Sequence, residues 1–331
     1  RISGESEMPI VDASAKIARI TAVLPEVRGM AQSCNLCGRR CGVDRLSAAS
    51  GYCRAAATDG DHARWQTAVL HFGEEPMLVG RGGSGTVFFS HCNLRCAFCQ
   101  NWRISHEGEG KEGHFRVLAE AFLDLEAQGA ENINLVTATH YIYPVLQALR
   151  EAYEKGLQLP VVYNTNGYDA EALIHLLDGI VDVWLPDLKY MDAEPAKAYS
   201  QAVDYPEVAR AAIRVMFRQA GGLEMEGEVA RRGLIIRHLV LPENASGSYD
   251  FLLWLLDEGM TDIPISLMSQ YTPQFRAAEY APIALPLRPE EYEAVVDFAD
   301  RLGFTHLLVQ AMESQAHYLP DFDQDQPFER K

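Results

Sequence analysis

Residues 85–102, GTVFFSHCNLRCAFCQNW, decide the fold. The first half is a short continuous apolar run of the kind that forms a strand buried on both faces. The second half puts three cysteines into the loop that must follow that strand, at the spacing C-x3-C-x2-C. Similar apolar runs recur downstream as NINLVT (132–137), PVVYNT (160–165), VDVWLPD (181–187), LIIRHLVLP (234–242), IPISLMS (263–269) and THLLVQ (305–310). Between them lie amphipathic helical patterns at 115–129, 143–156, 170–179, 249–259 and 289–303, several ending on Gly as helix C-termini commonly do. Strand and helix alternate six or seven times.

This alternation predicts an α/β fold, a partial (β/α)6-type TIM barrel, with an open doubly wound sheet as the alternative. In a βα barrel the chemistry gathers in the loops after the strands. Here the cysteine triplet follows the first strand, THY the second, NTNGY the third, DLKY the fourth and SQYTP the sixth. The expected organisation is an N-terminal four-Cys module over 1–64, the barrel over 65–310 and a C-terminal tail over 311–331. The tail reads as an ordered cover or a frayed terminus, and a lid from it carrying Tyr318 would favour a small substrate. The glycine-rich run Gly80–Gly85 resembles a nucleotide loop, but it precedes a strand where such loops open a helix, so it reads as the turn into the first strand.

With 48% hydrophobic and 23% charged residues, the 331-residue chain has the composition of an ordinary globular protein. Its net charge of −17 argues against nucleic acid as a partner. No apolar run is long enough for a membrane span, and the first residues lack the basic and apolar blocks of a secretory signal. The expectation is a cytoplasmic protein with neither a nucleic-acid nor a membrane partner. All seven cysteines fall in two groups, Cys34, Cys37, Cys41 and Cys53, then Cys92, Cys96 and Cys99. In an intracellular chain, close thiols point to metal or cluster binding more than to disulfides.

The second group can converge three thiolates on one object. Ferredoxin clusters and closed zinc sites take four ligands, so a triplet leaves one coordination position open. The alternatives are a zinc site completed by His91 or His106, or three reduced thiols. The first group supplies four thiolates, enough for Zn²⁺ or a second [4Fe–4S] cluster, with Arg39, Arg40, Arg45 and Arg54 offsetting their charge. Irregular spacing and turn-rich flanks favour zinc there, against free thiols or a disulfide.

With Phe98 just before its last cysteine, and its place after the first strand of a βα array, the triplet resembles that of the radical-SAM superfamily. The resemblance implies that Cys92, Cys96 and Cys99 hold three irons of a [4Fe–4S] cluster and that S-adenosylmethionine (SAM) chelates the fourth. It implies that an electron, from a donor such as flavodoxin or ferredoxin, splits SAM into methionine and a 5′-deoxyadenosyl radical that abstracts hydrogen from a substrate. A finer resemblance is to glycyl-radical activating enzymes, in the pyruvate formate-lyase activating enzyme-like subgroup. It runs from C-x2-C-x3-C-G-V-D-R (34–45) and G-Y-C-R (51–54) through the triplet to NTNGY, DLKY and QYTP. It implies a protein or peptide substrate. A small-molecule substrate and a non-catalytic cluster- or metal-binding protein are the alternatives.

Carried over position by position, Asp187 and Lys189 stand where activases contact SAM, and Asn164 and Thr165 where a loop lies beside its ribose and carboxylate. Activases often have Asp at the place of Asn164, where it helps hold a monovalent cation; Asn lacks that charge. The second loop, TATHYIYP, departs from the Gly-Gly-Glu that receives the SAM amine in many relatives. Thr137, Thr139 and backbone carbonyls are the substitutes available, and His140 is a candidate substrate-side acid or base set against a structural role. Arg237 matches the family's Arg on the fifth strand, where alternation lets only one of Arg237 and His238 face inward. Gln270 and Tyr271 occupy the sixth loop, where activases commonly show a His, and Gln100 and Asn101 are expected outer donors to the cluster.

Overall fold

The computed structural model describes residues 11–310; the expected tail 311–331, Tyr318 included, lies outside the described residues. The description opens on a helix that the apolar runs did not predict, α1 (Ala13–Gln32), started by Asp12, whose side chain accepts from the Ala15 N–H at 2.9 Å. Its Ile20, Val23, Val27 and Met30 recur at helical spacing and are buried. Beyond it the cysteine-bearing stretch holds only a short 3-10 turn, Arg45–Ser47, before strand β1 (His62–His71).

A four-residue helix, α2 (Pro76–Val79), lies between β1 and β2 (Ser84–Phe89). The two strands pair antiparallel with His71 opposite Ser84, so β1 ends beside the start of β2. After the cysteine loop come a short helix, α3 (Trp102–Ser105), and β3 (Lys111–His114), which pairs antiparallel with β1.

From here the expected alternation sets in. The chain runs through α4 (Phe115–Ala127), β4 (Ile133–Val136), α5 (Ile142–Glu154), β5 (Val161–Thr165), α6 (Glu171–Leu176) and β6 (Val183–Pro186). Two helices follow, α7 (Ala193–Ser200) and α8 (Tyr205–Ala220), then a hairpin of β7 (Glu224–Glu226) and β8 (Val229–Leu234). The last elements are β9 (Ile236–Leu239), α9 (Ser248–Asp257), β10 (Ile265–Met268), α10 (Pro289–Leu302) and β11 (Leu307–Val309). Each of the seven apolar runs thus contains a strand, and each expected helical pattern a helix.

The result is a mixed α/β fold with a parallel-rich sheet. β2, β4, β5, β6 and β8 are parallel neighbours in chain order, and β9, β10 and β11 form a second parallel set. The two sets meet where the chain passes from β8 to β9 and where Asp187 bridges Arg237. Among the described parallel strands no reversal of order occurs, unlike a doubly wound sheet. β2 and β5 are buried along their whole length, as continuous apolar runs require when both faces are covered. Among the described residues no helix is long and apolar enough to cross a membrane.

Candidate functional site

The C-terminal ends of the parallel strands open on one cleft of about 980 Å³. Its wall includes Cys92, Cys96 and Cys99, together with Phe98, Asn101, Thr137, Asn164, Thr165, Asp187, Lys189, Arg237, Gln270 and Tyr271. A single structural rule, loops after parallel strands, has brought together residues up to 179 positions apart.

Each sulfur of the triplet is met by a polar partner. Cys92 Sγ accepts from Asn166 Nδ2 at 3.3 Å and from the Leu94 N–H at 3.4 Å. Cys96 Sγ accepts from Ser200 Oγ at 3.1 Å, and Cys99 Sγ lies 3.1 Å from Ser105 Oγ. Burial raises the Cys96 thiol, and it pushes Cys99 up to about 12. The charges of Cys92 and Cys96 both act on Cys99, so the three groups share one neighbourhood. Buried thiols of this kind lose their protons readily only to a compensating cation. The donor set therefore suits an iron–sulfur cluster: three thiols on one loop, with N–H and O–H groups already turned to the sulfurs. His106 does not complete a zinc site, because its Nε2 is engaged by the Cys96 carbonyl at 3.0 Å. Among the described residues no three His, Cys, Asp or Glu side chains stand ready for a single metal ion.

Beside the cysteine loop runs a chain of charges. Lys189 Nζ donates to Asp187 Oδ2 at 2.6 Å, and Arg237 Nε donates to Asp187 Oδ1 at 2.8 Å. Arg237 Nη2 also reaches Asn164 Oδ1 at 2.5 Å, and its Nη1 reaches Glu74 Oε2 at 3.4 Å. Burial opposes the Asp187 carboxylate, but Arg237 and Lys189 outweigh it and hold its pKa below the usual range. Lys189 is held protonated against its burial by Asp187 and by the Cys96 sulfur. Gly167 lets the loop after β5 come this close to the loop after β6: its φ is +80°, and a Cβ there would stand 2.3 Å from the Asp187 carbonyl.

The remaining expected residues divide. Thr137, in a left-handed conformation, ties its N–H to the Asn164 carbonyl at 2.8 Å, so the loops after β4 and β5 are joined. The Thr165 hydroxyl donates to buried Asp169, as does Thr139 at 2.6 Å. Gln100 Nε2 donates to the Gln270 carbonyl at 3.1 Å, while Gln270 Oε1 has no partner among the described residues. Tyr271 presents its ring to Phe98 at 5.7 Å between centroids and donates its hydroxyl to the Ile283 carbonyl. That hydroxyl is committed away from the cleft, which argues against its catalytic assignment. His140 is corrected outright: it is not on the cleft wall. It sits in the turn Thr139–Tyr141 with Nε2 on the Ser90 carbonyl at 2.8 Å, and burial lowers its pKa to about 3. Arg237 and His238 alternate as expected, with His238 buried between the Leu188 carbonyl and Ser248.

The four N-terminal cysteines also share one neighbourhood, with Cys34, Cys37 and Cys53 buried and Cys41 partly exposed, in which Cys34 and Cys53 both act on Cys37 and Cys34 hydrogen-bonds Cys41. Arg45 spans part of it, donating to Cys34 Sγ at 2.8 Å and to Cys53 Sγ at 3.0 Å. Among the titratable groups of the cleft wall, the sequence reading passed over His71 at the end of β1 and Glu74 and Glu75 in the connection from β1 to β2. The available signal was the pair of glutamates in HFGEEP beside a Pro, but nothing in that hexapeptide marks it as buried.

Fold and site together describe a cluster-binding loop facing a pocket of charged side chains. Residues 86–219 match the model of the Radical SAM superfamily. An uncharacterized protein of Methanocaldococcus jannaschii is 30% identical over 279 residues, which span 82% of this chain and 75% of the relative. The chain belongs to the radical SAM superfamily, whose members are enzymes and whose membership implies a [4Fe–4S] cluster and SAM. Among solved structures, native anSMEcpe with bound AdoMet aligns with a TM-score of 0.43 at 14% identity. That alignment covers 64% of this chain and 57% of the other.

Proposed function

We propose that this chain cleaves SAM reductively at a [4Fe–4S] cluster held by Cys92, Cys96 and Cys99, on a partial (β/α)6-type barrel, and abstracts hydrogen from a substrate seated in the cleft. The observation that carries the reading is the three-thiol loop beside the Lys189–Asp187–Arg237 charge chain in one cleft. When bound, the reduced cluster supplies the electron that splits the sulfonium bond, giving methionine and a 5′-deoxyadenosyl radical. The protein's residues orient and enclose. Lys189 offers a cation for the SAM carboxylate and Asp187 an acceptor for its amine or hydroxyls, once the pair they form with each other is shared with the ligand. Asn164 and Thr165, fixed by Arg237 and Asp169, form the adjoining wall. Phe98 and Tyr271 close one side with aromatic surface and keep water out.

The finer placement, among glycyl-radical activase-like enzymes of the pyruvate formate-lyase activating enzyme-like subgroup, rests on the motifs from Cys34 to QYTP and makes a protein or peptide the first candidate substrate. A small molecule is the second, favoured by the polar groups that line the cleft deep behind the cysteine loop. An electron donor such as flavodoxin or ferredoxin completes the cycle. The shared neighbourhood of Cys34, Cys37, Cys41 and Cys53 supports Zn²⁺ or a second cluster there, for which Arg45 would have to release its two sulfurs; metal analysis distinguishes the two. The decisive experiment is anaerobic reconstitution followed by dithionite and SAM. Formation of 5′-deoxyadenosine is expected, and its absence from protein with an intact cluster refutes the proposal.

A further inference from the structure

The antiparallel pairing of β1 with β2 carries residues 72–83 to the end of the parallel strands opposite the cysteine loop. From there Glu74 and Glu75 turn back into the cleft. Glu74 hydrogen-bonds with Glu75 and Asn134, and ion-pairs with Arg237 at 3.4 Å. Glu75 is 8% exposed, lines the cleft, and its Oε2 has no hydrogen-bond partner among the described residues. The rest of the Glu75 carboxyl is held by a side-chain hydrogen bond with Ser266, and nearby His71 is kept neutral by burial, which lowers its pKa to about 4, so Oε2 is the oxygen left for a donor arriving in the cleft.

The charges lead the same way. Three carboxyls, Asp187, Glu74 and Glu75, stand with two cations, Arg237 and Lys189, and the Glu74–Glu75 hydrogen bond needs a proton on one of the pair, so the group is neutral while that proton stays. Burial raises both glutamates, and the charge of Glu74 raises Glu75 further. A ligand ammonium would take the place of that proton, keeping the charges balanced while its N–H groups reach the orphan oxygen of Glu75.

We infer that Glu74 and Glu75 form the anchoring subsite for a protonated primary amine on the substrate, holding it with its other end toward the cysteine loop. This inference rests on the radical-SAM reading of the cleft and, of the two candidate substrate classes, takes the second: a small molecule that carries a primary amine. Glu75 is the specificity residue, and Arg237 fixes Glu74 beneath it.

The test is calorimetric titration of the full-length, anaerobically reconstituted protein, saturated with SAM, with n-pentylammonium, n-pentanol and pentanoate. The ammonium ion should bind saturably and about tenfold or more tighter than the other two, and Glu75→Gln should weaken it about tenfold. Equal binding of the three probes, a preference for pentanoate, or undiminished ammonium binding by the variant overturns the inference. The three-probe comparison on the unmodified protein decides the matter even if the variant does not fold. Titration with SAM alone is a separate readout: no SAM binding, with ammonium preference intact, refutes the proposed function and leaves the amine subsite standing.

Discussion

Arg237→Met keeps most of the side chain's length and removes the guanidinium that joins Asp187, Asn164 and Glu74. The side chain is 16% exposed and its two carboxylate partners 10% and 8%, so solvent does little to replace it. Removing one member of a buried ion pair costs about 3–5 kcal/mol. The sign of the pH dependence follows from the carboxyls. In the native protein Asp187, held below its usual pKa, adds stability above its unfolded pKa of about 3.9, and that stability is lost as pH falls through the lower folded value. Without Arg237, Asp187 keeps only Lys189 against its burial and its pKa moves up, while Glu74 and Glu75, already raised, lose the charge that lowers them and rise further. The folded variant then binds protons more avidly than the unfolded chain, so it loses stability as pH rises from about 4 toward 8. At about 2.1 cal/mol/K per residue, unfolding of a chain this long carries an entropy near 0.7 kcal/mol/K, and the full cost at pH 8 is a drop of about 4–7 °C in Tm. Differential scanning calorimetry at pH 5 and pH 8 should show the larger deficit at pH 8. Equal stability at pH 8, or a larger deficit at pH 5, would refute the charge-chain argument.

Substituting Ala for any one of Cys92, Cys96 or Cys99 should lower the iron content on reconstitution and bring 5′-deoxyadenosine below detection; full iron loading in a single variant would remove that cysteine from the cluster. Gly82→Ala puts a Cβ 1.8 Å from the Gly129 carbonyl oxygen, an overpacking that should cost about 1–3 kcal/mol in urea unfolding, and an unchanged midpoint would contradict it. The Tyr205 hydroxyl accepts from the Lys189 N–H at 2.9 Å and lies 2.9 Å from the Asn166 carbonyl and 3.0 Å from that of Asp187. Tyr205→Phe should cost about 1–3 kcal/mol and weaken SAM binding severalfold by loosening both loops; native SAM affinity with the stability loss would make its role purely structural.

The parallel strands were legible because their residues are buried on both faces, which leaves long apolar words in the sequence. β1 was not: HARWQTAVLH is mostly half-buried, and its polar residues hide the alternation. α1 left no such word: its buried residues are single apolar positions three or four apart, and Pro25 stands among them as a helix-breaking residue. In the site, Asn164, Asp187, Lys189 and Arg237 could be found because each lies at or near the end of a recognisable strand. Glu74 could not, since the partner that makes its burial tolerable stands 163 residues away. His140 shows the limit of the same rule. It follows a strand like the others, yet one 3-10 turn sends its side chain behind β2.

The segment before residue 64 is part of the frame that holds the cysteine loop. Arg39 donates to the carbonyls of Asn93 at 2.9 Å, Leu94 at 3.3 Å and Ser200 at 2.8 Å, and also to that of Gln201. Its guanidinium lies 3.6 Å over the Tyr52 ring, next to Cys53 in sequence. Asn93 and Leu94 lie between Cys92 and Cys96, and Ser200 donates to Cys96 Sγ. Lys16, buried and paired with Asp182 at 2.6 Å, fixes α1 just ahead of β6, the strand that leads to Asp187. Whatever orders residues 34–53 therefore also orders the donors around the triplet, because one guanidinium bonds both ends of that loop's surroundings. A change at Cys34 or Cys53 that loosens Arg39 would be felt at Cys96 through Ser200, without any electron passing between the two groups of thiols.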